Sequence, residues 1–118
     1  MAAQLIDGKA VSAATRAVLS EEIAAFRETT GVTPALAVVL VGSDPASAVY
    51  VRNKHKACLA VGIRSEEYTL PETATEEELL SLVRKLNEDD SIHGILVQLP
   101  LPKQICEEHV LRAISPLK

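Results

Sequence analysis

At 118 residues, the chain has the length of one compact domain and is too short for two of ordinary size. Apolar residues make up 47 % of it and aromatic residues 3 %, a composition that builds an aliphatic core and argues against disorder. Sixteen acidic side chains against twelve basic ones give a formal charge of -4, which opposes a broad nucleic-acid footprint, and no apolar tract approaches the roughly 20 residues that cross a bilayer.

In chain order, Leu5-Ile6-Asp7-Gly8 reads as a very short strand and a turn, with no basic leader and long apolar stretch of the secretory kind. Over residues 9–29, Val11, Ala14, Val18, Leu19, Ile23 and Phe26 recur at steps of three and four, which predicts an amphipathic helix stopped at Gly31. Residues 35–41 are an unbroken apolar run, the pattern of a strand covered on both faces in a parallel sheet. Gly42 and Ser43 permit a turn, Asp44 suits a helix cap, and Pro45 fits a first helical position, where its missing N–H costs nothing. The helix is expected to run over 45–60 and to end at Gly62.

On that helix Ser47, Tyr50 and Lys54 fall at i, i+3 and i+7, on one side. A lysine stem laid over a tyrosine ring, with the amine in water, is the plain structural reading of the same spacing. Residues 63–70 form a more polar strand, nearer an edge, closed by Pro71. A helix follows over 74–88, with Glu76, Glu77 and Glu78 in its first turn, where exposed N–H groups favour acids. Residues 92–99 are a third apolar strand whose polar exception is Gln98, and Pro100-Leu101-Pro102 prevents its regular continuation. A last helix over 104–114 offers Ile105, Val110, Leu111 and Ile114 to the core. Strands alternating with helices predict a three-layer α/β/α domain with a mostly parallel sheet and right-handed crossovers.

In such sheets ligands bind outside the carboxyl ends of the strands, where strand order reverses. The stretches 44–54 and 98–102 both follow strands and are expected to meet there. Gln98, an amide in an apolar run, needs hydrogen-bond partners, supplied either by that site or by a local core network. His55, His93 and His109 are scattered and form no spaced ligand set, so no metal is expected. Cys58 and Cys106 stand apart, as suits a reducing compartment, and a cytoplasmic protein with no nucleic-acid or membrane partner is expected.

Ser47-x-x-Tyr50-Val51-x-x-Lys54-x-Lys56, Gly62-Ile63 and Val97-Gln98-Leu99-Pro100-Leu101-Pro102 occur in one order along the chain. With them the sequence closely resembles the N-terminal, folate-binding domain of the bifunctional methylenetetrahydrofolate dehydrogenase/methenyltetrahydrofolate cyclohydrolase family, from Asp7-Gly8-Lys9 to Pro116-x-Lys118. The resemblance implies that Lys54 is the principal catalytic side chain and that Gln98 orients it or tunes its protonation. It also implies that Tyr50 stacks on the aminobenzoyl part of a folate, with Ser47, Leu99 and Pro100 as further substrate contacts. Lys56 points about 200° away from Lys54 on a regular helix and is assigned to packing or surface.

The activity implied is oxidation of 5,10-methylenetetrahydrofolate with NADP and hydrolysis of the methenyl product to 10-formyltetrahydrofolate, in one-carbon metabolism and purine biosynthesis. The family continues beyond Pro116-x-Lys118 into an aspartate-containing segment and a Rossmann NADP domain, and its full-length members are expected to be homodimers. No Gly-x-Gly-x-x-Gly follows a strand here, so residues 1–118 are expected to hold no NADP and to lack dehydrogenase turnover alone. Two other readings compete. A short-chain dehydrogenase also uses a Tyr-x-x-x-Lys pair but needs an upstream Gly-rich loop, and a noncatalytic α/β ligand-binding or interaction domain needs no chemistry at all.

Overall fold

The computed structural model describes residues 2–118. Its elements follow in the order α1 (Gly8–Thr30), β1 (Ala35–Val41), α2 (Pro45–Val61), β2 (Arg64–Leu70), α3 (Glu76–Glu88), β3 (Gly94–Val97) and α4 (Glu107–Ala113). The three strands form one parallel sheet in the order β2-β1-β3. The chain therefore starts the sheet in the middle, moves to one edge through α2 and crosses to the other through α3. Among the described residues no helix is long and apolar enough to cross a membrane.

β1 carries the core because both of its faces are covered. Ala35, Ala37, Val39 and Val41 join Leu79, Val83 and Leu86 of α3 and Val110 of α4 in one buried cluster. Val38 alternates to the other face, where α2 packs on the sheet and buries Val51, Cys58 and Val61. The result is the expected three-layer α/β/α arrangement. β2 is an edge strand, and its Glu66, Glu67 and Arg64 leave that edge charged, which discourages pairing with another chain.

Local chemistry sets the helix ends. Asp44 caps α2 with Pro45 behind it, and Gly62 closes the helix at φ 92°, where a Cβ would also lie 3.3 Å from Ile23 Cγ2. Thr75 and Glu78 form a reciprocal capping box at the start of α3.

Four expectations need correction. Leu5-Ile6-Asp7 is not a strand: Asp7 Oδ1 accepts from the N–H groups of Lys9 and Ala10 and serves as the cap of α1. The apolar stripe of α1 is not core, since no residue of that helix is buried and Val11, Val18 and Phe26 are 62 %, 55 % and 46 % exposed. Among the described residues only α2 packs substantially against α1, and the radius of gyration, 16.8 Å, exceeds the roughly 13–14 Å of a compact chain this long. β3 is shorter than 92–99: the flanking His93 and Gln98 N–H groups bond to Ala35 and Val39 carbonyls, but Pro100 cannot extend the ladder. α4 begins at Glu107 rather than Gln104, because the Ile105 N–H closes a turn on Pro102 and the Cys106 N–H is taken by Glu76; Leu111 faces outward.

Leu79 is fully buried against β1. Leu79→Ala is expected to lower unfolding free energy by about 2–5 kcal/mol, read from urea denaturation of the two chains.

Candidate active site

The topological switch point of the sheet lies beside β1, between strands reached by crossovers in opposite directions. Outside the carboxyl ends of β1 and β3, residues 42–44 face residues 100–102 across a cavity of about 210 Å³, with Glu72 at its side. A larger hollow, about 390 Å³, lies by the carboxyl end of α1 and is lined by Ala24, Arg27 and Gly31 among others. It adjoins the amino ends of the strands and none of the sequence signatures, so the smaller crevice is the better site.

Two elements bring the chemistry to this end. α2 starts at the end of β1 and presents Lys54, half-buried, from its third turn. β3 ends on Gln98, whose N–H still bonds to the Val39 carbonyl at 2.9 Å. Lys54 Nζ donates to Gln98 Oε1 at 3.0 Å, while Gln98 Nε2 donates to the Leu99 carbonyl at 3.0 Å. A lysine offers only donors, so the amide must turn its oxygen toward the amine, and the Leu99 carbonyl holds the other end. Gln98 is thus satisfied through the partnership with Lys54 rather than in a separate core network.

Tyr50 stands one turn before Lys54 and is 57 % exposed, with Lys54 Nζ 5.4 Å from its ring centroid. That distance permits cation–π attraction when the amine is charged. The ring itself remains open to a ligand. Pro100 lines the crevice, and Leu99 contributes its carbonyl to the Gln98 amide.

Ser47 differs from its neighbours on the helix. It is 2 % exposed, and both its hydroxyl and its N–H donate to Asp44 Oδ2, each at 2.9 Å. Its hydroxyl holds the cap of α2 instead of projecting with Tyr50 and Lys54. The Asp44 carboxyl is held below the usual carboxylate range by the Ser47 N–H and then by the Ser47 hydroxyl. Asp44 and Glu72 both border the crevice. Asp44 was legible as a cap, whereas nothing in the local sequence distinguishes Glu72 from other surface acids. Lys56 is exposed, as its helical phase requires.

The fold is a doubly wound α/β domain, with a paired amine and amide where β3 ends near its switch point. Residues 6–118 match the family described as tetrahydrofolate dehydrogenase/cyclohydrolase, catalytic domain. The chain belongs to that family. It is 62 % identical over 116 residues to the bifunctional protein FolD of Geotalea daltonii, covering 98 % of this chain and 41 % of that protein. The crystal structure of the bifunctional dehydrogenase/cyclohydrolase FolD from Campylobacter jejuni superposes with a TM-score of 0.96 at 50 % identity, over 99 % of this chain and 41 % of that one. The Trypanosoma brucei enzyme, solved with NADP cofactor and an inhibitor, gives 0.92 at 40 % identity, over 97 % and 39 %. The chain thus spans about two fifths of the length of these relatives.

The depressed Asp44 carboxyl links the cap to pH. Its contribution to stability is complete above the unfolded-state value and is lost as pH falls through the lower folded-state value. Asp44→Ala is therefore expected to unfold at lower urea than the parent at pH 7, with the gap closing in acid. Urea midpoints measured from pH 7 to pH 2 check both the direction and the closure.

Proposed function

We propose that this chain is the substrate domain of an enzyme that oxidises 5,10-methylenetetrahydrofolate with NADP and hydrolyses the 5,10-methenyl product to 10-formyltetrahydrofolate. The observation that carries the proposal is the 3.0 Å hydrogen bond from Lys54 Nζ to Gln98 Oε1, just past the end of β3 and two residues before the crevice-lining Pro100. The names of the relatives, which are bifunctional FolD proteins and a dehydrogenase/cyclohydrolase, support the same reading.

In the hydrolytic half, water must add to an electrophilic methenyl carbon flanked by two nitrogens. A carbon–oxygen bond forms as Lys54, in its amine form, accepts a proton from the water. The tetrahedral carbon then opens: its bond to one nitrogen breaks, that nitrogen takes the proton back from the Lys54 ammonium, and the hydroxyl becomes the formyl carbonyl by releasing its own proton to solvent. One proton is released overall, as consumption of a cationic substrate requires. Gln98 takes one N–H of Lys54, and no other hydrogen bond among the described residues engages the amine. Tyr50 supplies an exposed aromatic face on which the aminobenzoyl ring of a folate stacks, aligning the reacting carbon.

The residues of this chain do not fit a dinucleotide. The turn after β1 has a single glycine, the Asp44 carboxylate already occupies the Ser47 N–H at the start of α2, and Glu72 adds a second acid beside it. A pyrophosphate would meet repulsion there instead of a cradle of N–H groups. We therefore assign NADP to sequence outside residues 1–118, and none of the hydride chemistry is routed through them.

Lys54→Met, made in the full reading frame, keeps the stem and removes the amine; it is expected to lower cyclohydrolase kcat by about 10²–10⁴-fold. Gln98→Glu replaces the amide with a carboxylate that pairs with Lys54 and engages it more tightly, and is expected to lower cyclohydrolase kcat, read from initial rates of the two chains. Unchanged kcat in Lys54→Met would overturn the proposal. Calorimetry of a folate with this chain and with Tyr50→Ala addresses the interaction-domain alternative, which alone survives if neither chain binds.

A further inference from the structure

On the face of the sheet opposite α2, the first turns of α3 and α4 meet at a second cluster. Cys106 is the cap residue of α4, and His109 lies three positions further on, so their side chains emerge on the same side of the helix start. Glu76, the first residue of α3, reaches across to both. One carboxylate oxygen accepts from the Cys106 N–H at 2.7 Å, and the other lies 3.2 Å from His109 Nδ1. The Cys106 side chain makes no capping hydrogen bond, unlike the cap residues of the three longer helices, and its thiol is uncommitted.

We propose that Glu76, Cys106 and His109 bind a divalent transition-metal ion of the zinc type, clipping the start of α3 to the start of α4. Their ligand atoms already lie within 4.8 Å of one another. Metal–ligand bonds of about 2.0–2.3 Å in a tetrahedron put donors roughly 3.3–3.8 Å apart. The remaining inward movement is of the order of an ångström, and the two side chains that must make it are exposed: Cys106, and His109 at 64 %. Glu76 is the oriented member. Its hydrogen bond from the Cys106 backbone fixes one oxygen, as outer partners of metal ligands commonly do, and the ion would enter between the other oxygen and His109 in place of their 3.2 Å contact.

The charge balance is also suitable. Two helix starts repel a cation, but Glu77, Glu78, Glu107 and Glu108 in the same first turns offset that field. A donor set of sulfur, imidazole nitrogen and one carboxylate selects a borderline ion over magnesium or calcium, which prefer oxygen throughout. Three protein ligands leave a fourth position for water.

Cobalt(II) titration of the reduced chain under anaerobic conditions tests the site, because a cobalt–thiolate bond has a near-ultraviolet charge-transfer band that nitrogen and oxygen ligands lack. The expected result is a one-to-one complex with that band, displaced by zinc, together with a rise in the thermal unfolding midpoint on zinc addition. Cys106→Ser should abolish the band and His109→Ala should weaken cobalt binding about 10–100-fold or more, while both retain the parent's unfolding midpoint in chelator. Cys58→Ser, altering the buried cysteine on the other face, should leave binding unchanged. Absence of the band at millimolar cobalt, or its persistence with unchanged affinity in either Cys106→Ser or His109→Ala, would overturn the assignment.

Discussion

The burial of β1 on both faces is the constraint from which the rest of the domain follows. A strand that is apolar on every side chain cannot lie at a solvated surface, so it takes the centre of the sheet and demands helices on both sides. With β2 and β3 both parallel to it, all three carboxyl ends fall at one end of the molecule. The crossover through α2 goes one way and the return through α3 goes the other, which opens a crevice at that end. The position of the site is therefore a consequence of packing before any catalytic residue is considered.

Register then decides which side chains meet at that end of the sheet. Val39 pairs with Val97, and the next N–H along, that of Gln98, bonds to the Val39 carbonyl. A slip of one residue would send the amide to the other face of the sheet and break its bond to Lys54. On the other side of the pair, the Asp44 cap and Pro45 set where α2 begins, and with it the phase that turns Lys54 toward Gln98. A hydrogen bond involving a charged group is worth about 1.5–3 kcal/mol, less than the roughly 2–5 kcal/mol from one buried leucine of the core. The core, rather than the pair itself, holds this end of the sheet and α2 in place.

Much of this was legible from residues alone. Seven consecutive apolar residues identified β1, an Asp-Pro start and a glycine stop bounded α2, and an amide in an apolar run marked Gln98 as a residue needing a partner. Periodicity failed at α1, because it reports that a face is apolar and not that anything covers it. It also grouped Ser47 with Tyr50 and Lys54, whereas the short hydroxyl in the first turn donates to the cap carboxylate of Asp44. The cluster of Glu76, Cys106 and His109 was hidden for a different reason. Thirty positions separate Glu76 from Cys106, and only the packing of α3 on α4 brings them together.

The central claim is that Lys54 and Gln98 act as one unit on a bound folate. A double-mutant cycle on cyclohydrolase turnover in the full reading frame, using Lys54→Met, Gln98→Ala and the pair together, tests it most directly. If the amide works through the amine, the double variant is no slower than Lys54→Met alone. Rate losses that multiply, as they do for residues acting independently, would contradict the account.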